Sequence, residues 1–331
     1  MNVSELTQHI TVRGEESLAL RREADDLRRR VHGDAIHLRG LVEFSNHCRN
    51  RCLYCGIRGP HPGVQRFRMA AEEILAAARA VRDAGCGTVV LQSGVDVRWP
   101  VPDLATLVRA IRRETGLAIT VSVGTLPRVD LETLREAGAD RYLLRFETSD
   151  PDLFQRIHPD ESFERRLQCL RDLRETGFQV GSGFMIGLPG WTAESLARDI
   201  AFATDLGLDM IGCGPFRASP GTPMEDAPSM DDEEICLNVL ALLRLGNPQA
   251  HLPATTAFDA LRPGARDEAL RAGCNVFMPN FTPARFREAY NLYPGKPVVD
   301  DDGAAAVRAL RLHFAAMGRS VAEGPGHSRR G

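Results

Sequence analysis

The stretch Phe44-Ser45-Asn46-His47-Cys48-Arg49-Asn50-Arg51-Cys52-Leu53-Tyr54-Cys55-Gly56 decides how the rest of this sequence is interpreted. It places the thiols of Cys48, Cys52 and Cys55 within eight residues, directly after an apolar run. Three such thiolates can each ligate one iron of a [4Fe-4S] cluster and leave the fourth iron without a protein ligand. The spacing therefore predicts one cluster, whose open iron can chelate a small molecule.

A structural zinc site and chance clustering are the alternatives for these cysteines. Zinc in a closed structural site takes four ligands, and His47 adjoins Cys48 too closely to reach around as the fourth. The spacing C-x3-C-x2-C, with Tyr54 before the last cysteine, resembles the signature of the radical S-adenosylmethionine (SAM) superfamily. That resemblance implies that SAM fills the open site. An electron from the cluster then splits SAM into methionine and a 5′-deoxyadenosyl radical.

The composition is that of an ordinary globular protein, with 43% apolar and 26% charged residues in 331. A net charge of -3 offers no electrostatic basis for nucleic-acid binding. No window approaches the roughly 20 apolar residues of a membrane helix, and Glu5, Glu15 and Glu16 stand where a signal peptide needs an apolar core. The five cysteines outside the loop lie singly within predicted elements and are expected to be reduced. We therefore expect a cytoplasmic protein without membrane or nucleic-acid partners.

Beyond residue 36, short β-branched runs alternate with amphipathic helical patterns, which predicts a complete (β/α)8 TIM barrel over residues 36–320. Residues 1–35 are predicted to form a helical lead-in and residues 321–331 a disordered tail. The eight expected strands are Ile36–Phe44, Thr88–Gln92, Ala118–Val123, Arg141–Glu147, Gln179–Ile186, Asp209–Phe216, His251–Thr256 and Asn275–Pro279.

Polar residues cluster where these strands end, which is where a barrel places its active site. Arg145 and Glu147 share one face of the fourth strand, and apolar residues on its other face favour pointing the charged pair into the cavity. A surface salt bridge is the alternative. Thr255 and Thr256, at the end of the seventh strand, are either site residues or satisfied strand hydroxyls. Arg166, on a predicted helix, would by itself be interpreted as solvated.

Further motifs make the sequence similar to the HydE family of radical SAM maturases, which act on [FeFe]-hydrogenase. They extend, in order, over about residues 25 to 297. The motifs are Glu43-Phe44-Ser45-Asn46, Leu91-Gln92-Ser93-Gly94, Ala137 to Arg145 with Glu147-Thr148, Gly187-Leu188-Pro189-Gly190, Gly214-Pro215-Phe216, Pro253 to Ala257, Met278-Pro279-Asn280 and Leu292 to Lys296.

The resemblance implies a role for each matching residue. Cys48, Cys52 and Cys55 would hold the cluster. Contacts to SAM would come from Tyr54, Gln92, Ser122, Glu147, Arg166 and Met185, with Arg166 on the SAM carboxylate and Met185 beside adenine. Arg145, Thr255, Thr256 and Tyr290 would anchor the carboxylate of a cysteine-bound iron carbonyl cyanide. That complex is the precursor of the two-iron subcluster of the hydrogenase. A scaffold maturase and an electron donor are the further partners that this family implies.

Some positions depart from the family pattern and bear on the substrate. Gly59-Pro60, Val95 and Thr125 replace charged residues that are usual near the cavity, and no cysteine follows Cys274, so one cluster is expected. A paralogue acting on a small amino-acid or thiol compound, like biotin synthase or methylornithine synthase, is the main alternative function. An iron–sulfur carrier without catalysis is the other.

Overall fold

The computed structural model describes residues 1–296 and 303–330, in which strands and helices alternate along most of the chain. The strands are β1 (Ala35–Ser45), β2 (Thr88–Ser93), β3 (Ala118–Ser122), β4 (Arg141–Leu143), β5 (Gln179–Ser182), β6 (Met185–Ile186), β7 (Met210–Ile211), β8 (Gly214–Pro215), β9 (Val276–Phe277) and β10 (Ser320–Val321). The helices are α1 (Val3–Ile10), α2 (Gly14–His32), α3 (Ala71–Asp83), α4 (Val101–Thr115), α5 (Arg128–Glu136), α6 (Pro151–Ile157), α7 (Phe163–Glu175), α8 (Ala193–Asp205), α9 (Glu233–Gly246), α10 (Ala265–Arg271), α11 (Ala284–Arg287) and α12 (Gly303–Ala316), with a turn of 3-10 helix at Thr256–Phe258. None of these described helices combines the length and the apolar character that crossing a membrane requires.

The parallel sheet curls into a half-barrel. β1, β2, β3, β4, β5 and β7 pair side by side in that order, β9 and β10 also pair with β1, and β6 and β8 form a separate pair. Between β7 and β9 the described residues form only isolated bridges, of Met210 with His251 and of Pro253 with Val276. The expected strand His251–Thr256 is therefore not a regular strand, since Pro253 has no N–H to donate to a ladder. A complete eight-stranded barrel of regular strands is not formed.

Two of the predicted strands break where glycines bring neighbouring backbones close together. The strand expected over Gln179–Ile186 divides into β5 and β6 around Gly183, and that over Asp209–Phe216 divides into β7 and β8 around Gly212. A Cβ at Gly183 would collide with the backbone of Gly212, so no side chain fits there. Both breaks lie beside the cavity described below.

Side chains of β1 alternate between the helical layer and the interior. Val42 and Phe44 are fully buried in the apolar core, whereas Leu41 and Glu43 line the interior cavity. The strand therefore anchors the core with one face. With the other it presents residues to the cavity directly before the cysteine loop.

Residues 322–330, the floor segment, lie against the amino ends of the strands. Arg141 Nη2 donates a hydrogen bond to the carbonyl of Pro325 at 2.7 Å, and Arg39 Nη2 donates to that of Gly326 at 3.2 Å. Both arginines are buried and form no ion pair with any described residue. The two carbonyls thus satisfy donors that would be costly to bury alone.

The segments before and after the sheet differ in how well the sequence anticipated them. Before β1, the helices α1 and α2 pack against α8 and α9, with the Ser17 hydroxyl donating to Asn238 at 2.6 Å. In contrast to the disorder expected over 321–331, the floor segment makes defined contacts. Gly331, the last residue of that range, lies outside the described residues.

Candidate active site

The cysteine loop is held in place by contacts with segments distant in sequence. Asn46 accepts a hydrogen bond from the backbone N–H of Phe67 at 2.7 Å, and its amide donates to the carbonyl of Ala289 at 2.7 Å. Gly94, at the end of β2, lies so close to the loop that a Cβ there would collide with Cys48. The sequence after β1 therefore forms a shaped loop rather than a flexible one.

The three cysteines of the loop are free thiols that line a single cavity. Burial raises the pKa of Cys55 to about 12, and burial together with the charges of Cys55 and Cys48 raises the pKa of Cys52 well above its usual value. Buried thiolates this close repel one another, so all three ionise together only around a positively charged centre. No group of three described residues is arranged to hold a single metal ion, whereas a [4Fe-4S] cluster takes each sulfur on a different iron. The cysteines fit the predicted cluster.

His158 links two residues of the cysteine loop. Its Nδ1 lies 3.2 Å from the sulfur of Cys52, and its Nε2 lies 2.9 Å from the hydroxyl of Tyr54. Burial lowers the pKa of His158 to about 3, so the ring is neutral and carries one N–H. With Cys52 bound to the cluster as a thiolate, the sulfur only accepts, so Nδ1 would carry the hydrogen and Nε2 would accept from Tyr54. The ring also stacks on Phe154, with centroids 4.6 Å apart, which fixes its orientation.

Glu147 and Arg145 enter the cavity at the end of β4 with unused hydrogen-bonding capacity. Glu147 has a φ of 66°, which a glutamate adopts only under strain. Its Oε2 lies 3.3 Å from Arg145 Nη2, yet no described residue hydrogen-bonds to this buried oxygen. The Nε–H of Arg145 is buried and likewise has no partner among the described residues. An acceptor, Glu147 Oε2, and a donor, Arg145 Nε, thus lie side by side without hydrogen-bond partners among the described residues. The acceptor suits the amino or ribose groups of SAM.

Arg166 is engaged by protein groups. Its guanidinium pairs with Glu161, at 2.6 Å, and donates to the carbonyl of Arg145. The hydroxyl of Thr125 bonds to the same glutamate. Thr125 stands where the family often has glutamate, and Glu161 supplies a carboxylate at this place. Arg166 therefore ties helix α7 to the residues that follow β4, and its contact with SAM stays a prediction.

Part of the cavity wall carries hydroxyl groups. Thr255 donates to the carbonyl of Cys213 at 3.1 Å, and the hydroxyl of Thr256 hydrogen-bonds to that of Tyr293. The hydroxyl of Tyr290 accepts from the side-chain amide of Gln92 at 3.3 Å. Tyr293, which sequence reasoning did not select, is thus the partner of Thr256.

A buried ion pair completes this wall. The ammonium of Lys296 pairs with Glu43 and donates to the carbonyl of Tyr290 at 2.7 Å. Lys296 is the only lysine among the 41 lysine and arginine residues of the sequence. Sequence reasoning did not select it as a site residue, although a single lysine in an arginine-rich chain was a visible signal.

All thirteen residues selected from the sequence line one cavity of about 340 Å³. They are Cys48, Cys52, Tyr54, Cys55, Gln92, Ser122, Arg145, Glu147, Arg166, Met185, Thr255, Thr256 and Tyr290. Met185 also lines an adjoining cavity of about 390 Å³, which the Gly187-Leu188-Pro189-Gly190 turn and Asp199 border. The structure therefore brings the selected residues together, while the role of each remains a prediction.

The fold and the site together define a radical SAM enzyme. Residues 42–203 match the Radical SAM superfamily. The chain is 43% identical over 301 residues to the [FeFe] hydrogenase maturase subunit HydE of Thermotoga maritima, which covers 91% of this chain and 86% of that protein. The chain belongs to the HydE family. Membership implies a [4Fe-4S] cluster and SAM as cofactors, and it excludes an iron–sulfur carrier without catalysis.

More distant relatives share the fold. The 3-methylornithine synthase of Methanosarcina acetivorans is 28% identical over 255 residues, 76% of this chain and 71% of that protein. A crystal structure of methylornithine synthase has a TM-score of 0.84 at 23% identity and covers 97% of this chain and 94% of its own. The [FeFe]-hydrogenase maturase HydG has a TM-score of 0.82 at 17% identity, with 96% and 72% covered.

Proposed function

We propose that this enzyme cleaves SAM reductively and acts in assembly of the two-iron subcluster of [FeFe]-hydrogenase, on a cysteine-bound iron carbonyl cyanide. The observation that carries the proposal is the pair of unused groups, Glu147 Oε2 and Arg145 Nε, in the cavity that the three cysteines line. One group suits the cation and hydroxyls of SAM, and the other suits a substrate carboxylate. The identity to HydE supports the choice of substrate.

Each part of the cavity has a task in this proposal. Cys48, Cys52 and Cys55 hold a single cluster, which when bound supplies the electron that splits SAM. Glu147, Gln92 and Ser122 orient SAM, Met185 and Tyr54 border it, and Arg166 positions the end of β4 and contacts the SAM carboxylate. The isolated bridges of Met210 with His251 and of Pro253 with Val276 connect β7 to β9 beside the cavity.

A set of hydrogen-bond donors in the cavity anchors the substrate. Arg145 offers a guanidinium, and Thr255, Thr256 and Tyr290 offer hydroxyl groups, which together suit a carboxylate. Tyr293 orients the hydroxyl of Thr256. A carboxylate held here would direct the sulfur of a cysteinate towards the SAM side of the cavity. The proposed partners are a scaffold maturase and an electron donor, and a reducing cytoplasm suits the eight free thiols.

The test uses anaerobically reconstituted protein. About four irons per chain are expected, with a spectroscopic shift of the open iron on addition of SAM. Cys52→Ala should abolish the cluster, whereas Cys86→Ala, at a buried cysteine outside the loop, should retain it. The protein should release 5′-deoxyadenosine and activate hydrogenase in a maturation assay. Eight irons per chain would refute the single cluster.

The second candidate is a HydE paralogue that acts on a small amino-acid or thiol compound. It is favoured by the similarity to 3-methylornithine synthase and by the replacement of charged family residues with Val95 and Thr125 near the cavity. SAM cleavage without hydrogenase activation by the unmodified protein would select this candidate.

A further inference from the structure

One exposed face beside the cysteine loop is strongly basic. From Phe44 to Ala71 the sequence carries five arginines and no acidic residue, although the whole chain has a net charge of -3. Arg49 on this loop is exposed, as are Arg98 after β2 and Arg165 on α7. Between them Val97 is 70% exposed, one of few large apolar side chains in that state. We call Arg49, Val97, Arg98 and Arg165 the basic face.

The basic face adjoins one predicted cluster ligand, Cys48, through the backbone of Val95. The backbone N–H of Arg49 donates to the carbonyl of Val95 at 3.0 Å, and the N–H of Val95 donates to the sulfur of Cys48 at 3.4 Å. The segment that carries Val97 and Arg98 therefore starts at Val95, a residue that hydrogen-bonds to the sulfur of Cys48. This face is a short path for an electron from the surface to the cluster.

The positive charge of the face is not neutralised within the chain. Of the acidic residues nearby, Asp96 pairs with Arg68, Asp160 with Arg51 and Glu161 with Arg166. Glu164, which adjoins Arg165, is exposed and leaves the three arginines in excess. In the described part of the chain, none of the three arginines of the basic face forms an ion pair.

A depression gives the face its shape. Arg49 and Arg165 line a polar depression of about 230 Å³, together with Asn50, Val95, Thr125 and the paired carboxylates of Asp160 and Glu161. Val97, two residues after Val95, is exposed outside the depression. An exposed apolar side chain beside charged groups suits a protein–protein contact.

We propose that the basic face is the docking site of an acidic one-electron carrier protein, which reduces the cluster held by Cys48, Cys52 and Cys55. This inference rests on the proposed function, because it needs the cluster. In the step the carrier loses one electron and the cluster gains it, and no atom is transferred. Complementary charge would speed the encounter, and salt would weaken it over a Debye length of about 8 Å at physiological ionic strength.

The experiment measures cluster reduction by stopped flow, with a reduced, acidic plant-type ferredoxin as the carrier. The double variant Arg49→Glu/Arg98→Glu is compared with Arg22→Glu/Arg30→Glu, which makes the same charge change at exposed arginines on α2. At low salt the first variant should be reduced about tenfold more slowly than the unmodified protein, and the control within twofold. Added NaCl should slow the unmodified protein and diminish the difference.

Reduction by dithionite, a small reductant that needs no docking, should be equal in all these proteins. Because dithionite also supports SAM cleavage, failure of the proposed function would show there and failure of docking only with ferredoxin. Equal ferredoxin rates in the two double variants would overturn the proposal. If the first variant loses its cluster, Arg165→Glu, outside the cysteine loop, replaces it, and an unchanged ferredoxin rate in that variant is equally decisive against docking.

Discussion

The Nδ1 atom of His158 lies 3.2 Å from the sulfur of Cys52, within hydrogen-bonding distance of a predicted cluster ligand. A hydrogen bond to a ligating sulfur favours the reduced cluster, because reduction increases the negative charge on that sulfur. The neutral imidazole is held in place by Tyr54 and Phe154. We therefore expect His158 to raise the reduction potential of the cluster.

Replacing His158 with leucine should lower the reduction potential of the cluster while four irons are retained. A difference of about 1 kcal/mol in this hydrogen bond corresponds to roughly 40 mV for one electron. Tyr54→Phe, which leaves the N–H···S contact in place, should shift the potential less. The measurement is a redox titration followed by electron paramagnetic resonance. A potential in His158→Leu equal to that of the unmodified protein would rule out this role.

The strained backbone of Glu147 allows its ligand role to be separated from stability. Glu147→Gly should relieve a positive φ and raise the melting temperature by about 2–4 °C. It should also weaken SAM binding ten- to a hundredfold, since a hydrogen bond to a charged group contributes about 1.5–3 kcal/mol. Glu147→Gln keeps the strain, so it should lose SAM affinity without the thermal gain. Unchanged SAM affinity in both variants would contradict the assignment.

Arg145→Met should separate substrate handling from SAM cleavage. The variant should keep its cluster, its SAM affinity and release of 5′-deoxyadenosine, because Arg145 contacts neither cofactor in the proposed arrangement. Hydrogenase activation should fall by about a hundredfold or more, since a carboxylate without its anchor is misplaced. Tyr293→Phe, which only frees the hydroxyl of Thr256, should cause a smaller loss. Full activation by Arg145→Met would refute the anchor.

Asp199, beside the second cavity, should make stability depend on pH. Burial raises the pKa of Asp199 to about 6, whereas an unfolded aspartate titrates near 3.9. The folded state thus holds the proton more tightly. The stability that Asp199 contributes by holding this proton is fully present below about pH 4. It is lost as the pH rises through about 6.

Asp199→Asn should therefore gain up to roughly 3 kcal/mol relative to the unmodified protein between about pH 4 and 7. The asparagine can still accept the hydrogen bond from the N–H of Ser149, which the aspartate accepts at 2.6 Å. Denaturant unfolding at a series of pH values measures the difference. If the free energies of unfolding of the variant and the unmodified protein differ by the same amount at every pH, Asp199 does not titrate in this range.

Local patterns predicted the residues of the site better than their partners. Side-chain alternation along the expected strand Arg141–Glu147 placed Arg145 and Glu147 in the cavity. Both line it, although β4 ends at Leu143 and the two residues lie beyond the strand. His158 could not be selected, because its contact with Cys52 joins residues 106 positions apart. Likewise, the engagement of Arg166 by Glu161 depends on how α7 meets β4, which no motif encodes.

In the fold too, local sequence patterns predicted the elements but not the contacts between distant segments. The alternation of apolar runs predicted the order of strands and helices, but not the breaks at Gly183 and Gly212, which arise from contact between two neighbouring backbones. The floor segment has a composition typical of disorder. Its order depends on buried Arg39 and Arg141, whose donors need the carbonyls it offers.

The pairing of β1 bears on when the site can assemble in a cell. One edge of β1 pairs with β2, while the other pairs with β9 at His37 and Leu38 and with β10 at Ala35 and Ile36. Translation proceeds from the amino terminus, so a ribosome completes β1 and the cysteine loop long before it makes β10. Before its partner strands are synthesised, this edge of β1 has unpaired backbone N–H and C=O groups, which can pair with another nascent chain. We therefore expect iron–sulfur insertion to be a post-translational event that follows synthesis of the last paired strand.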